Sequence, residues 1–354
     1  MNEKVNHLDL FSGIGGFSLG LKYAGVEHGW HGNSDIDSYA NEVFKRRFPD
    51  AKRLGSVVNV SYESIGRRID LLTGGFPCQA FSLAGARKGF ADTRGTLFFE
   101  IERILQDYIK HGEPIPYFLL ENVKGLLSHD DGRTFAVIYR VLADLDYTIE
   151  CQLVNTKWWL PQNRERIYIF GRYNGNKCGR KVFPLTKDDI RNTKIKLCRE
   201  ATSGQEGDMQ DDKSGGRRSL YKSVAYRTRA YKGEDGHIEE RGDNLSNALN
   251  TQPKDYMIKR EEITIKNPYN GYTSTKETGT LGTSCGTKTG KTAQHVHTNT
   301  SIRRLTPIEC ERLQGFPDNW TDQCSDTQRY KQCGNAVSVP VIQTIMEKIY
   351  AKQK

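Results

Sequence analysis

The sequence predicts an α/β fold, a mostly parallel sheet covered by helices on both faces, with a smaller loop-rich domain attached. Three observations predict it. Short apolar runs of strand length alternate with stretches of helical period through the first 173 residues, the texture then turns polar and basic to about residue 301, and helical periodicity returns near the C-terminus. At 354 residues the chain is long enough to bury a large core and to carry an inserted domain.

In chain order, the expected strands are 7–11, 69–73, 117–120, 147–154 and 166–170, each a short apolar run. Between them, Leu97, Ile101, Ile104, Leu105 and Tyr108 recur at helical spacing, as do Phe135, Ile138, Leu142 and Leu145. Ile342, Ile345, Met346 and Ile349 form the inner stripe of a C-terminal helix. The middle of the chain contains stretches such as "SGQEGDMQDDKSGGRRS" that read as exposed loop. The resulting plan is a domain of residues 1–173, a smaller loop-rich domain of 174–324, and a return to the first domain over 325–354.

The formal net charge is +9, and residues 172–302 hold 24 Lys and Arg against 16 Asp and Glu, so nearly the whole surplus lies in that stretch. A surplus gathered in one region suits a polyanionic partner. No run approaches the roughly 20 apolar residues of a membrane span, and "MNEKVNHLDLF" lacks a signal-peptide core, so a cytoplasmic location is expected. The eight cysteines are scattered at 78, 151, 178, 198, 285, 310, 324 and 333, with no CxxC pair. Neither a zinc site nor a disulfide framework is therefore expected, and a reactive cysteine must be singled out by its neighbours.

"HLDLFSGIGGFSLGL" sets a strand, the glycines Gly13, Gly15 and Gly16, and an apolar helical run in succession. Glycines let backbone approach a ligand closely, and the helix N-terminus offers free amides; the same pattern also serves as a plain structural turn. It is not the GxGxxG dinucleotide fingerprint, because the last glycine falls at Gly20. Asp35, in "GNSDIDSYANEVF", falls where a second strand's end would present a carboxylate to ribose hydroxyls, whereas Asp37 reads as a helix cap.

In "GGFPCQAFS", Cys78 follows a strand expected at the centre of the sheet, so it lies at the carboxyl edge where open α/β sheets bind ligands. The strand 117–120 runs into Glu121-Asn122-Val123, and parallel strands bring Glu121 to that same edge. "QNRER" precedes the strand 166–170, and its arginines could hold a carboxylate or phosphate bidentately. For Cys78 the bland alternative is one more small buried cysteine among the eight.

Six motifs in order, DLFSGIGG, GGFPCQAFS, LLENVKG, QNRERIYIFG, RRLTPIECERLQGFP and YKQCGNAVSVP, with a long variable stretch before the last two, make the chain resemble the bacterial DNA (cytosine-5)-methyltransferases. The resemblance covers both ends of the chain and leaves out only about residues 172–302. It implies a Rossmann-like fold that uses S-adenosylmethionine as methyl donor and releases S-adenosylhomocysteine. It also makes the smaller domain the target-recognition domain, and double-stranded DNA the partner of a monomeric enzyme. A cognate restriction endonuclease would act on the same DNA site without direct contact. The chemistry explains the residue types: cytosine carbon 5 is too weak a nucleophile, so a thiolate first adds at carbon 6. Cys78 matches that thiolate, Glu121 the acid at ring N3, Arg164 and Arg166 the residues that orient base and acid, and Asn122 the tie to the Pro-Cys turn.

For the cofactor the resemblance implies Asp9, Phe11, Gly13, Gly15, Asp35, Ile36, Pro77 and Asn335. Where the family has an Asp contacting the adenine amino group, this chain offers Ser56, whose hydroxyl still accepts a hydrogen bond. A base inside a duplex must be flipped out to react. Contacts to DNA are expected from Ser82, Arg94, Arg227 and Arg229, with Thr280-Leu281 resembling a Thr-Leu pair of the recognition region. The competing class is a transfer-RNA cytosine-5 methyltransferase, but the Cys-Phe-Thr signature of that class is missing.

Overall fold

The computed structural model describes residues 4–77, 97–174, 181–193 and 305–350, together with the backbone of six short strands between residues 221 and 274. Contacts group the chain into two compact units, Met1–Val154 with Glu165–Thr186 and Val337–Lys354, and Asn155–Arg164 with Lys187–Ala336.

The first unit is built on a seven-stranded sheet. Its strands are β1 (Lys4–Leu10), β2 (Glu27–Ser34), β3 (Lys52–Gly55), β4 (Leu71–Gly75), β5 (Tyr117–Val123), β6 (Tyr147–Asn155) and, past a two-residue β7 (Gln162–Asn163), β8 (Glu165–Tyr173). They lie in the order β3-β2-β1-β4-β5-β8-β6. Pairings β1–β2, β1–β4, β2–β3 and β4–β5 are parallel, and β8 runs antiparallel to β5. From β1 the chain moves outward to β2 and β3, then returns to β4 on the other side. The order therefore reverses between β1 and β4, and the crevice beyond the carboxyl ends of those two strands is where such sheets take ligands.

Apolar runs put β4 and β5 at the sheet's centre, where both faces are covered: Leu71, Leu72, Phe118, Leu119 and Leu120 are all buried. Strands β2 and β3 have no such run, and β2, "EHGWHGNS", buries its second half only, with His31 and Asn33 among the buried residues. Helices α1 (Gly16–Tyr23), α2 (Ser38–Arg47), α3 (Tyr62–Ile65), α4 (Leu97–Lys110) and α5 (Arg133–Asp144) connect the strands. The stripe of α4 is buried as expected, with Phe98 rather than Leu97 as its first fully buried member. Asp37 caps α2, accepting from Tyr39 N at 3.0 Å and Ala40 N at 3.2 Å. A last helix of this unit, Val339–Ile349, packs on α1, and there Gly20 finds its purpose. A β-carbon at Gly20 would lie 2.6 Å from the Ile342 side chain, so close helix packing excludes any larger residue.

The second unit contains α6 (Pro307–Gln314) and α7 (Asp326–Asn335), which makes Val339–Ile349 helix α8 of the chain. A reciprocal capping box between Thr306 and Glu309 starts α6, with Pro307 in its first turn. Cys310, Cys333, Leu305 and Tyr330 form a small buried core, and burial pushes both thiols up from their ordinary value. The middle region, read from sequence as loop, carries a three-stranded antiparallel sheet with β9 (Tyr221–Arg227) between β10 (His237–Glu240) and β12 (Tyr256–Arg260). Strand β11 (Ser246–Asn247) pairs with β7, and β13 (Ile265–Lys266) with β14 (Thr273–Ser274). Backbone pairing needs no apolar run, which is why composition does not announce these strands. Among the described residues no helix is long and apolar enough to cross a membrane.

The sequence divides the chain at 173/174 and 324/325, from the change of texture and the late return of periodicity. By contact, the first unit extends to Thr186 and resumes at Val337, and residues Asn155–Arg164 group with the second unit.

Candidate active site

Beyond β1 the chain turns sharply through residues of positive φ, Phe11 at 52°, Gly13 at 51° and Gly15 at 86°. A phenylalanine in this region is strained unless its surroundings hold it there. The holding bonds are visible: Ser12 N donates to Ser34 O at 3.2 Å and Gly15 N to Ser12 O at 2.9 Å. Gly13 N donates to Asp35 Oδ2 at 2.8 Å, and Asp37 N to Asp35 Oδ1 at 2.8 Å. The ends of β1 and β2 are thereby tied, with the Asp35 carboxylate between them. Burial raises the Asp35 pKa from its ordinary value, against the opposing backbone N–H groups of Asp37 and Gly13.

Space around this turn is unequal. A β-carbon on Gly15 would lie 2.5 Å from the Phe48 ring, while one on Gly13 would meet nothing within 4 Å. Beside Asp35, Ile36 is 82% exposed, a large apolar side chain left bare. An open glycine, a carboxylate and a bare apolar surface fit a nucleoside, the acid toward sugar hydroxyls and Ile36 toward a flat base. Ser56 follows β3 half-buried, and its hydroxyl does not cap the turn that begins there. Asn335 is exposed at the end of α7 in the second unit.

Asp9 sits differently from the other residues expected at the cofactor. It is 0% exposed, and its carboxylate accepts from Ser18 Oγ at 2.7 Å and Thr73 Oγ1 at 2.9 Å. It acts behind the turn rather than at its surface.

At the neighbouring strand ends, β4 and β5 pair so that Gly75 stands opposite Glu121. Glu121 and Asn122 are both buried. Asn122 Nδ2 donates to Phe76 O at 2.9 Å, which ties the end of β5 to the turn leading into Pro77 and Cys78. Arg166, on antiparallel β8, brings its Nε to 3.2 Å from Glu121 Oε1 and donates from Nη1 to Glu165 O at 2.8 Å. Pro77 is exposed at the end of this turn.

Arg164 belongs to the second unit. Buried to 3% exposure, it donates to Gly334 O at 3.1 Å and Ala336 O at 2.8 Å, the carbonyls on either side of Asn335. Gln314 Nε2 also donates to Cys333 O at 2.7 Å in the same segment. A buried guanidinium on two carbonyls holds backbone, so the structure shows Arg164 shaping the 334–336 segment, a role not read from sequence. In "ERLQGFP" nothing local marks Gln314 for this contact, which joins residues 19 apart. Cys78, Ser82, Arg94, Arg229, Thr280 and Leu281 lie outside the described residues, and of Arg227 only the strand it ends is described.

Comparison with known proteins follows the same lines. The family model of the C-5 cytosine-specific DNA methylases matches residues 5–351. The chain is 37% identical to the Type II methyltransferase M1.ScrFI of Lactococcus lactis subsp. cremoris, over 98% of this chain and 78% of that protein. It is 34% identical to the Type II methyltransferase M.HpaII of Haemophilus parainfluenzae, over 99% of this chain and 91% of that protein. Among solved structures, the Entamoeba histolytica methyltransferase EhMeth is similar with a TM-score of 0.60 at 18% identity, covering 100% of both chains. At that identity the likeness speaks for the fold.

Proposed function

Because the chain belongs to the C-5 cytosine-specific DNA methylases, we propose a division of labour among its residues in methylating cytosine carbon 5 in duplex DNA. The single observation that carries it is the arrangement at the ends of β4, β5 and β8: Glu121 facing Arg166, and Asn122 holding the backbone that leads into Cys78.

The Cys78 thiolate adds to carbon 6 of a cytosine flipped out of the duplex, forming a carbon–sulfur bond and pushing electron density to carbon 5. Glu121 hydrogen-bonds ring N3 and draws off the charge that this addition would leave there. Arg166 keeps the Glu121 carboxylate aimed. Asn122 ties the strand end that carries the acid to the backbone at Phe76, two residues before the nucleophile. After methylation, loss of the carbon 5 proton returns the electron pair and expels the thiolate. The methyl donor is S-adenosylmethionine, which when bound supplies an electrophilic methyl group. Asp35 would hold its ribose, Ile36 its adenine, Phe11, Gly13 and Gly15 the remainder, with Ser56 and Asn335 as further contacts and Asp9 bracing the turn from behind. The smaller domain, with Arg227, Arg229, Thr280 and Leu281, would read the target, while Ser82 and Arg94 would meet the DNA backbone. The enzyme would work as a monomer in the cytoplasm and shield DNA from a cognate restriction endonuclease.

The test is direct. DNA from cells expressing the chain should carry 5-methylcytosine at one short sequence, and DNA from cells expressing Cys78→Ser should carry none while the purified variant still binds duplex. Labelled S-adenosylmethionine that marks transfer RNA and no duplex would overturn the DNA reading.

A further inference from the structure

Behind the cofactor turn lies a buried polar cluster that the reaction does not use. His7, His28 and His31 stack in parallel, with centroids 5.3 Å apart for His7 with each neighbour and 4.0 Å for His28 with His31. Each carries at least one further contact. His7 Nδ1 lies 3.2 Å from His28 Nε2 and His7 Nε2 lies 2.8 Å from Thr73 Oγ1. His31 Nε2 lies 2.9 Å from Ser18 Oγ. Thr73 and Ser18 each donate their single hydroxyl proton to Asp9.

With the Asp9 carboxylate ionised, those two donations set every tautomer. A hydroxyl that gives its proton to Asp9 must accept from the imidazole behind it, so His31 and His7 are protonated at Nε2. His7 Nδ1 is then an acceptor, which requires the proton of His28 on Nε2. Two chains therefore converge on one carboxylate, from His31 through Ser18, and from His28 through His7 and Thr73. The three rings could offer nitrogens to a cation, but parallel stacking sets their in-plane lone pairs side by side instead of converging, and both His7 nitrogens are already bonded. The geometry is that of a relay, not of a metal site.

We propose that Asp9 is a positioning residue for cofactor binding: as common acceptor of the two histidine chains it locks β1, α1, β2 and β4 together directly behind the Phe11–Gly13 turn. Three features support this. Asp9 precedes the strained Phe11 by two residues, and Thr73 precedes the Gly74–Gly75 end of β4 that leads to Cys78. The Phe44 and Phe48 rings, which limit Gly15, also pack on His31 at 5.3 Å each. The cluster is polar where ordinary packing would be apolar, yet every hydroxyl and imidazole proton in the two chains has an acceptor, so its geometry is specific in a way a hydrophobic core is not. The groups facing it are Asp35 toward Asp9 and Lys22 toward His28.

The proposal rests on the cofactor reading of the turn, and the experiment separates the two. Titrate S-adenosylhomocysteine into wild type, Thr73→Val, Thr73→Ser and Ser18→Ala by calorimetry, and measure kcat and KM for S-adenosylmethionine on a substrate duplex. Loss of one relay hydroxyl should weaken binding roughly tenfold, the scale of one internal hydrogen bond. The loss should appear in KM more than in kcat, and Thr73→Ser, which keeps the hydroxyl, should restore it. Thr73→Val binding as tightly as wild type, or Thr73→Ser binding as weakly as Thr73→Val, would overturn the positioning role. Failure of wild type itself to bind would instead overturn the cofactor reading.

Discussion

At the scale of single residues, the site depends on a few polar contacts between strand ends. Glu121 is buried on β5 and meets a guanidinium from the adjacent antiparallel strand, an arrangement that fixes where its oxygens point. Glu121→Gln keeps the shape and the hydrogen-bonding reach but loses the acid. We expect it to lower kcat by roughly 10² or more, the usual scale of general acid–base assistance, with duplex affinity little changed. A Glu121→Gln enzyme that turns over at the wild-type rate would show that the carboxyl takes no part in the addition. Glu121 and Asn122 were legible in the sequence because they end an apolar strand run; their partners were less so. That Asn122 reaches Phe76 O is a fact of two strands meeting, and that Arg164 reaches Gly334 and Ala336 joins positions 170 or more residues apart.

At the scale of elements, apolar period predicted β1, β4, β5, β6, β8 and the stripes of α4, α5 and α8. It left β2 unannounced. The inward residues of β2 include His31 and Asn33, satisfied by Ser18 and Ser12 rather than by apolar neighbours, so the strand lacks the pattern that burial normally writes. Glycines mark where elements approach most closely. Gly171 of β8 pairs with Phe118 of β5, and a β-carbon there would lie 2.0 Å from the Phe118 ring, itself fully buried. On its far side the ring packs in the core with Tyr147, the centroids 5.0 Å apart. Gly171→Ala should therefore destabilise the fold by about 1–3 kcal/mol, the range for overpacking a core, despite removing a flexible glycine from a strand. Denaturant unfolding measures it, and an unchanged midpoint would mean that the sheet yields locally.

At the scale of the molecule, the buried histidines set a pH dependence. Burial pulls His28 down from 6.5 to about 4 and His31 to about 2, and holds His7 well below its ordinary value. Unfolded, all three take up protons below about 6.5; folded, they stay neutral, so their contribution is present above pH 6.5 and lost as pH falls. Asp9 works the other way. Burial raises it from 3.8 to about 7, so its contribution declines as pH rises through that window. Asp35, which burial also raises, opposes in the same sense as Asp9; the three histidines outweigh the two carboxyls, so unfolding takes up protons between pH 4 and 6.5. The Tm should climb over that range and flatten near pH 7. His28→Gln should show a shallower climb, and a Tm independent of pH from 4.5 to 6.5 would contradict the neutral cluster.

Taken by itself, the sequence determined the fold class, through local periodicity, and the family, through six motifs in order, and it set Glu121 and Asn122 at the end of an apolar strand run. The tertiary structure alone decided which residues meet: Glu121 with Arg166, Asn122 with Phe76, Asp35 with Gly13, and Asp9 turned inward to Ser18 and Thr73. Such contacts join residues distant in sequence, and a hydrogen bond depends on distance and direction in space, neither of which the order of residues along a chain records.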